Sequence, residues 1–300
     1  MSAATFPWTR RQLLAAFSAT LAIPAIGDAA QDVVAKGPRV ATLDWALLET
    51  LLAMKANVVA GAELRQFREV AVVPAVPADV QDIGLRGLPS FEALYVARPE
   101  LIFNSNFYVT SEARLARIAP VETHAVYVPG ESPYALAVEA TRAIGERLEL
   151  AGGARMIADV AAQLTRQRQM LADGDGRPVL PINLGDARHY RVFGSDSMFG
   201  DVLAQLGLAN AWTGATAYSA IAPMGIETLA TMPDAWILLI PPHPADALAT
   251  LQASAFWNAL PSVREGRVLM LASVNPYGGL PSARRFADLL TEGLTHAWNG

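Results

Sequence analysis

The chain has no cysteine in 300 residues. That excludes disulfides, thiolate metal centres and iron–sulfur clusters, and it removes the residue a bacterial lipoprotein would acylate at its processed end. Charge is also sparse: Asp, Glu, Lys and Arg make up 17% of the residues, with a net charge of −5 and a pI near 5.4. Such a chain offers no basic surface to neutralise phosphates, so nucleic acid is not an expected partner and anionic membrane surfaces are disfavoured. The sequence lacks a Gly-x-Ser-x-Gly elbow, a P-loop, a dinucleotide fingerprint and His-Glu-x-x-His. Its histidines, His124, His189, His243 and His296, are scattered without metal-ligand spacing. Asp173-Gly174-Asp175-Gly176 lacks the extended ligand set and closing glutamate of a calcium loop, so it reads as a helix-ending turn.

What is present is hydrophobic mass. At 52% hydrophobic residues the chain can bury a large core, as two domains or one large one. The N-terminus reads as an export signal over residues 1–30. Arg10-Arg11 form its charged region, residues 13–26 (LLAAFSATLAIPAI) its apolar core, and Gly27-Asp28-Ala29-Ala30 a small-residue cleavage region. Pro24 interrupts the apolar run, which is too short to span a bilayer comfortably, and no later window reaches transmembrane length. Residues 9–14 (TRRQLL) resemble a twin-arginine address; a general secretory signal that carries two arginines is the alternative. Either route takes the product out of the cytoplasm without a lipid anchor, and a periplasmic location is expected.

Beyond a polar linker, short strands and helices alternate. Strands are predicted at residues 39–43, 58–61, 101–103 and 121–128, with helices at 45–54, 91–96, 111–118 and 133–148. Ser90 is placed to cap the second of these helices, and Pro133 begins the last. The alternation resumes with strands at 179–184, 190–193, 235–240 and 267–271 and helices at 198–206, 226–232 and 282–298. This pattern implies an α/β fold with mainly parallel sheets. Between the two runs, residues 151–171 (AGGARMIADVAAQLTRQRQML) read as one long helix. Met156, Ile157, Val160, Ala161, Leu164 and Leu171 form its apolar stripe, and Arg155, Asp159, Gln163, Arg166 and Gln167 its polar face. About 20 residues at 1.5 Å each span roughly 30 Å, enough for a strut between lobes or for a surface helix of one domain.

From Arg39 to about Phe286 the sequence resembles the periplasmic ferric-hydroxamate siderophore-binding proteins that feed an ABC importer. The resemblance is carried by Asp82-Ile83-Gly84-Leu85-Arg86, by residues 115–120 (LARIAP), and by Arg188-His189 with Val192-Phe193-Gly194. Asn210-Ala211-Trp212 with Gly214, Phe256-Trp257 with Leu260-Pro261, and Arg264 with Gly266-Arg267 complete it. The family implies two α/β lobes joined by one rigid helix, with a shallow cleft and small hinge motion. It divides the chain into a signal at 1–30, a lobe at 31–150, an interlobe helix at 151–172 and a lobe at 173–300. The implied ligand is a ferric hydroxamate siderophore that brings its own iron, so no cofactor and no protein metal ligand are expected. The implied partner is an inner-membrane ABC permease, and the expected state is a monomer. A same-fold receptor for haem, a corrinoid or another siderophore class is the nearest alternative, and a periplasmic enzyme with a site assembled in space is the more distant one.

By the same resemblance, Arg86 and Tyr108 fall on the family's ligand-binding arginine and tyrosine, and Tyr218 and Tyr277 on its pocket aromatics. The fork of donors on Arg86 suits the negatively polarised oxygens around hydroxamate-bound iron; a rim ion pair is its other reading. Tyr108 offers a ring and a hydroxyl donor. Ser219 and Asn275 stand where pocket tryptophans are expected, and the first-lobe tryptophan expected near residues 67–71 is missing, which makes the pocket more polar. Arg284 and Arg285, in the terminal helix, read as a solvated face or as a site for a carboxylate-bearing siderophore. Glu112 and Glu227, each near the start of a short helix, fall close to positions where related receptors meet permease arginines. Acids in a first helical turn are also favoured by the helix dipole alone.

Overall fold

The computed structural model describes residues 37–214, 216, 223–244 and 246–299. The export signal and Tyr218 lie outside the described residues.

The first half begins with β1 (Val40–Thr42), α1 (Trp45–Ala53), β2 (Val58–Gly61) and α2 (Leu64–Val70). β3 (Gln81–Asp82), the hairpin β4 (Gly84–Leu85) and β5 (Leu88–Pro89), α3 (Phe91–Ala97), β6 (Leu101–Ser105), α4 (Glu112–Leu115), β7 (Val121–His124) and α5 (Pro133–Arg147) follow. Asp44 starts α1 by accepting from the Ala46 and Leu47 N–H groups, Ser90 caps α3 as the sequence predicts, and Ser132 caps α5 just before Pro133. The sheet order is β3-β2-β1-β6-β7, parallel throughout. Val40, Ala41, Ile102 and Phe103 are fully buried, as expected of central strands covered by helices on both faces.

After α6 (Gly152–Leu171), the second half runs through β8 (Val179–Leu184), β9 (His189–Val192), α7 (Met198–Gln205), β10 (Pro223–Gly225) and β11 (Trp236–Leu239). It ends with α8 (Ala247–Ala253), α9 (Ala255–Ala259), α10 (Pro261–Arg264), β12 (Val268–Met270) and α11 (Leu280–Asn299). Its sheet order is β10-β9-β8-β11-β12. Here β8, β11 and β12 are parallel, but β9 and β10 run antiparallel. The link from β8 to β9 is too short for a parallel crossover, so a hairpin is forced. The expected helix at 226–232 is a 3-10 helix, Ile226–Thr231.

The long helix is present, but its predicted polar face is wrong in part. Gln163 and Gln167 are buried and Ala161 is exposed. Both glutamine amides donate to Asp288 Oδ1 on α11, at 2.8 Å each, and Gln163 also donates to the Arg284 carbonyl. Burial of these polar heads is possible because α11 supplies acceptors. The glycine pair at the helix start belongs inside α6, where Gly153 lets α5 approach: a Cβ there would stand 3.0 Å from both the Thr141 carbonyl oxygen and Met54 Sδ. One apolar cluster runs from Val40 and Leu48 through Ile144, Val160 and Leu164 to Phe199, Phe286 and Leu290, so the halves share a core around α6 and α11.

Candidate functional site

Ligands of open α/β sheets gather outside the carboxyl ends of the strands. There the two halves enclose a cleft. Its first wall carries Trp45, the first residue of α1, and Arg86, from the β4–β5 turn; its second carries Asn183 and Arg191 from β8 and β9, Pro241 after β11 and Tyr277 after β12.

Local sequence places Arg86. Buried Ile83 anchors the loop, and Gly84 turns it with φ +83. Asp82 accepts from the Gly84 N–H and from the Leu64 N–H at the start of α2. Glu63 then grips Arg86 twice, accepting from its backbone N–H at 3.1 Å and from Nε at 2.8 Å. The guanidinium lies 3.9 Å from the centroid of the Trp45 ring, which is itself fixed by Nε1 donating to the Ala62 carbonyl. Arg86 is thus both an ion-paired and a cleft-lining residue, which joins its two predicted readings. With Nε engaged by Glu63, the hydrogen bond to Tyr108 and any further contact fall to its terminal nitrogens.

Tyr108 sits beside Arg86, in the 3-10 segment after β6. Burial, and then the charge of Asp44, push its hydroxyl up to about 12, while Arg86 acts against them as a charge and a hydrogen-bond donor. The phenol therefore keeps its proton and remains a donor. Asp44 is raised by burial above all; Ser105 Oγ, the α1 N–H groups and the Arg86 charge pull the other way.

The loop bearing Tyr277 is held to the first half. Tyr127 Oη donates to the Gly278 carbonyl at 2.9 Å, and its ring meets the Tyr277 ring edge to face at 6.5 Å. Glu49, buried in α1, accepts from Asn275 Nδ2, Ser282 Oγ and the Gly279 N–H. Asn275, expected on the pocket wall in place of a tryptophan, is fully buried as a partner of Glu49. Its backbone neighbour Tyr277 donates its N–H to Asn275 Oδ1 and is thereby fixed in the cleft.

The cleft thus unites Arg86 and Tyr277, with Tyr108 against Arg86. Arg284 and Arg285 instead border a different hollow with Pro74, Met156 and Val160, and Arg285 Nε donates to the Ser273 carbonyl. Glu112 and Glu227 are exposed, each in the first turn of a short helix, one in each half, and Thr123 Oγ1 donates to Glu112. Sequence reasoning missed Trp45, Glu63 and Arg191. Arg191 was detectable, since Tyr190 and Val192 alternate with it as core residues; nothing local marks Glu63.

The sequence profile of the periplasmic binding protein family matches residues 40–274. The iron(3+)-hydroxamate-binding protein FhuD of Escherichia coli (strain K12) is 30% identical over 257 residues, covering 85% of this chain and 86% of that protein. Among solved structures, the siderophore-binding protein FhuD of Vibrio cholerae, bound to Fe3+-Desferal, superposes with a TM-score of 0.80 at 26% identity, over 86% of this chain and 97% of that one. The petrobactin-binding protein YclQ of Bacillus subtilis superposes with a TM-score of 0.70 at 18% identity, over 86% of this chain and 92% of that one, and shares the fold alone. The profile match over residues 40–274 and the 30% identity to the Escherichia coli protein establish that the chain belongs to the periplasmic binding protein family.

Proposed function

We propose that this protein captures ferric hydroxamate siderophores in the periplasm and delivers them to an ABC permease, without catalysis. The observation that carries the reading is Arg86, steered by Glu63 and stacked on Trp45 in the cleft beside Tyr108. Donors of this kind suit oxygens polarised by iron, which the siderophore itself holds, so the protein contributes neither metal ligands nor a cofactor. The hydroxamate-binding name of the Escherichia coli relative supports the same ligand class, and the siderophore-binding name of the Vibrio cholerae one, bound to Fe3+-Desferal, supports a ferric siderophore.

Residues 1–30 act as the export signal, by the twin-arginine or the general route. The mature chain is a monomer of two lobes, 31–150 and 173–300, linked by the helix at 151–172. That continuous helix and the Tyr127 and Glu49 contacts favour small lobe shifts over wide hinge closure. Tyr218 and Tyr277 are assigned to ligand binding with Arg86 and Tyr108, and Glu112 and Glu227 present one carboxylate per lobe to the permease.

Titration of the purified mature protein with iron-loaded and iron-free siderophores, followed by quenching of tryptophan fluorescence, tests the reading. Saturable binding of a ferric hydroxamate, recovered chemically unchanged, is expected, with Trp45 as a reporter inside the cleft. Silence across every hydroxamate would overturn it.

A further inference from the structure

We infer that Arg191 makes the cleft selective for ferric hydroxamates that carry a free carboxylate, an inference that rests on the proposed siderophore-binding role. Arg86 and Arg191 both line the cleft, but their surroundings differ. Arg86 is paired at 2.8 Å with Glu63, and Asp44 lies within reach of its charge. Among the described residues, Arg191 makes no ion pair and no hydrogen bond through its side chain, and it is exposed. The uncompensated positive charge of the cleft therefore lies on the second wall, in a chain whose overall charge is −5.

Strand register explains why the arginine faces outward. On β9, Tyr190 and Val192 are fully buried in the second core, so Arg191 must project to the opposite face, opposite Asn183 on β8. Asn183 cannot share the task of donor. Both hydrogens of its amide are committed, to the Ile240 carbonyl at 2.7 Å and the Pro242 carbonyl at 2.8 Å. Arg191 is left as the group on this strand pair that can meet an anion, and its planar fork matches a carboxylate with two parallel hydrogen bonds. A neutral trihydroxamate complex has no charge to place there; a complex with a pendant carboxylate outside the iron's coordination shell does. The role considered for Arg284 and Arg285 passes to Arg191, because those two border another hollow.

The test compares a neutral ferric trihydroxamate with the same ferric trihydroxamate carrying a pendant carboxylate that does not bind iron, by fluorescence titration, on the wild type, Arg191→Gln and Arg191→Lys. The wild type should prefer the carboxylate-bearing complex by about tenfold or more at low salt, with the preference shrinking as salt screens the pair. In Arg191→Gln the ratio should fall below about threefold, and Arg191→Lys should restore part of it, since charge survives without the fork. Binding of both complexes with the same ratio in wild type and Arg191→Gln overturns the inference and leaves siderophore capture standing. Failure of the wild type to bind either complex overturns both.

Discussion

Glu49 and Asn275 are 226 residues apart in the chain, yet the Asn275 amide donates to the buried Glu49 carboxylate at 2.7 Å. Burial is the largest influence on this acid and raises it from 4.5 to about 7, against the opposing pull of its hydrogen bonds. The folded state therefore holds the proton more tightly than the unfolded chain. The protonated acid can donate to Ser282 Oγ while still accepting from Asn275 and Gly279.

Stability from this group is full below the unfolded value of 4.5 and is lost as pH rises through about 7. The loss amounts to about 3 kcal/mol from the shift alone. Melting temperatures recorded from about pH 5 to about pH 8 should fall with pH in the wild type and change much less in Glu49→Gln. An equal slope in the two proteins would show that other groups control it.

Removing the Arg86 side chain takes a charged donor from the cleft and leaves Glu63 without its partner. Arg86→Ala should weaken ferric hydroxamate binding by about 1.5 to 3 kcal/mol. Arg86→Lys should recover only part of this, because an ammonium cannot keep both the Glu63 bond and the broad stacking on Trp45. Affinity unchanged in Arg86→Ala would exclude Arg86 from ligand contact.

Gly153 tests how closely α5 and α6 must pack. A methyl group there meets the Thr141 carbonyl oxygen at 3.0 Å. Gly153→Ala gains helix propensity but should still lose about 1 to 3 kcal/mol by overpacking. Urea denaturation measures this directly, and an unchanged or higher midpoint would mean that the two helices separate without cost.

Permease docking through Glu112 and Glu227 predicts a split between transport and binding. The double variant Glu112→Lys, Glu227→Lys should cut siderophore-dependent uptake about tenfold or more through like-charge repulsion. Siderophore affinity in the purified protein should stay as in the wild type, because neither acid lines the cleft. Normal uptake by the double variant would end the docking role.

The sequence alone determined the class of fold and most of its elements, because these depend on local periodicity and capping. Ser90 and Pro133 start their helices where the sequence predicts, and the long helix runs over almost the predicted residues. The motif around Arg86 was equally legible, since its loop is built from five consecutive residues. Only the tertiary structure decided which groups meet across the chain. Gln163 and Gln167 looked like solvent residues until α11 provided acceptors for them. Asn275 looked like a gap in an aromatic wall until it was found on Glu49. The long helix, ambiguous by periodicity, packs in one apolar cluster with residues of both halves, and the unpaired charge of Arg191 follows from which carboxylates the fold brings near it and which it does not.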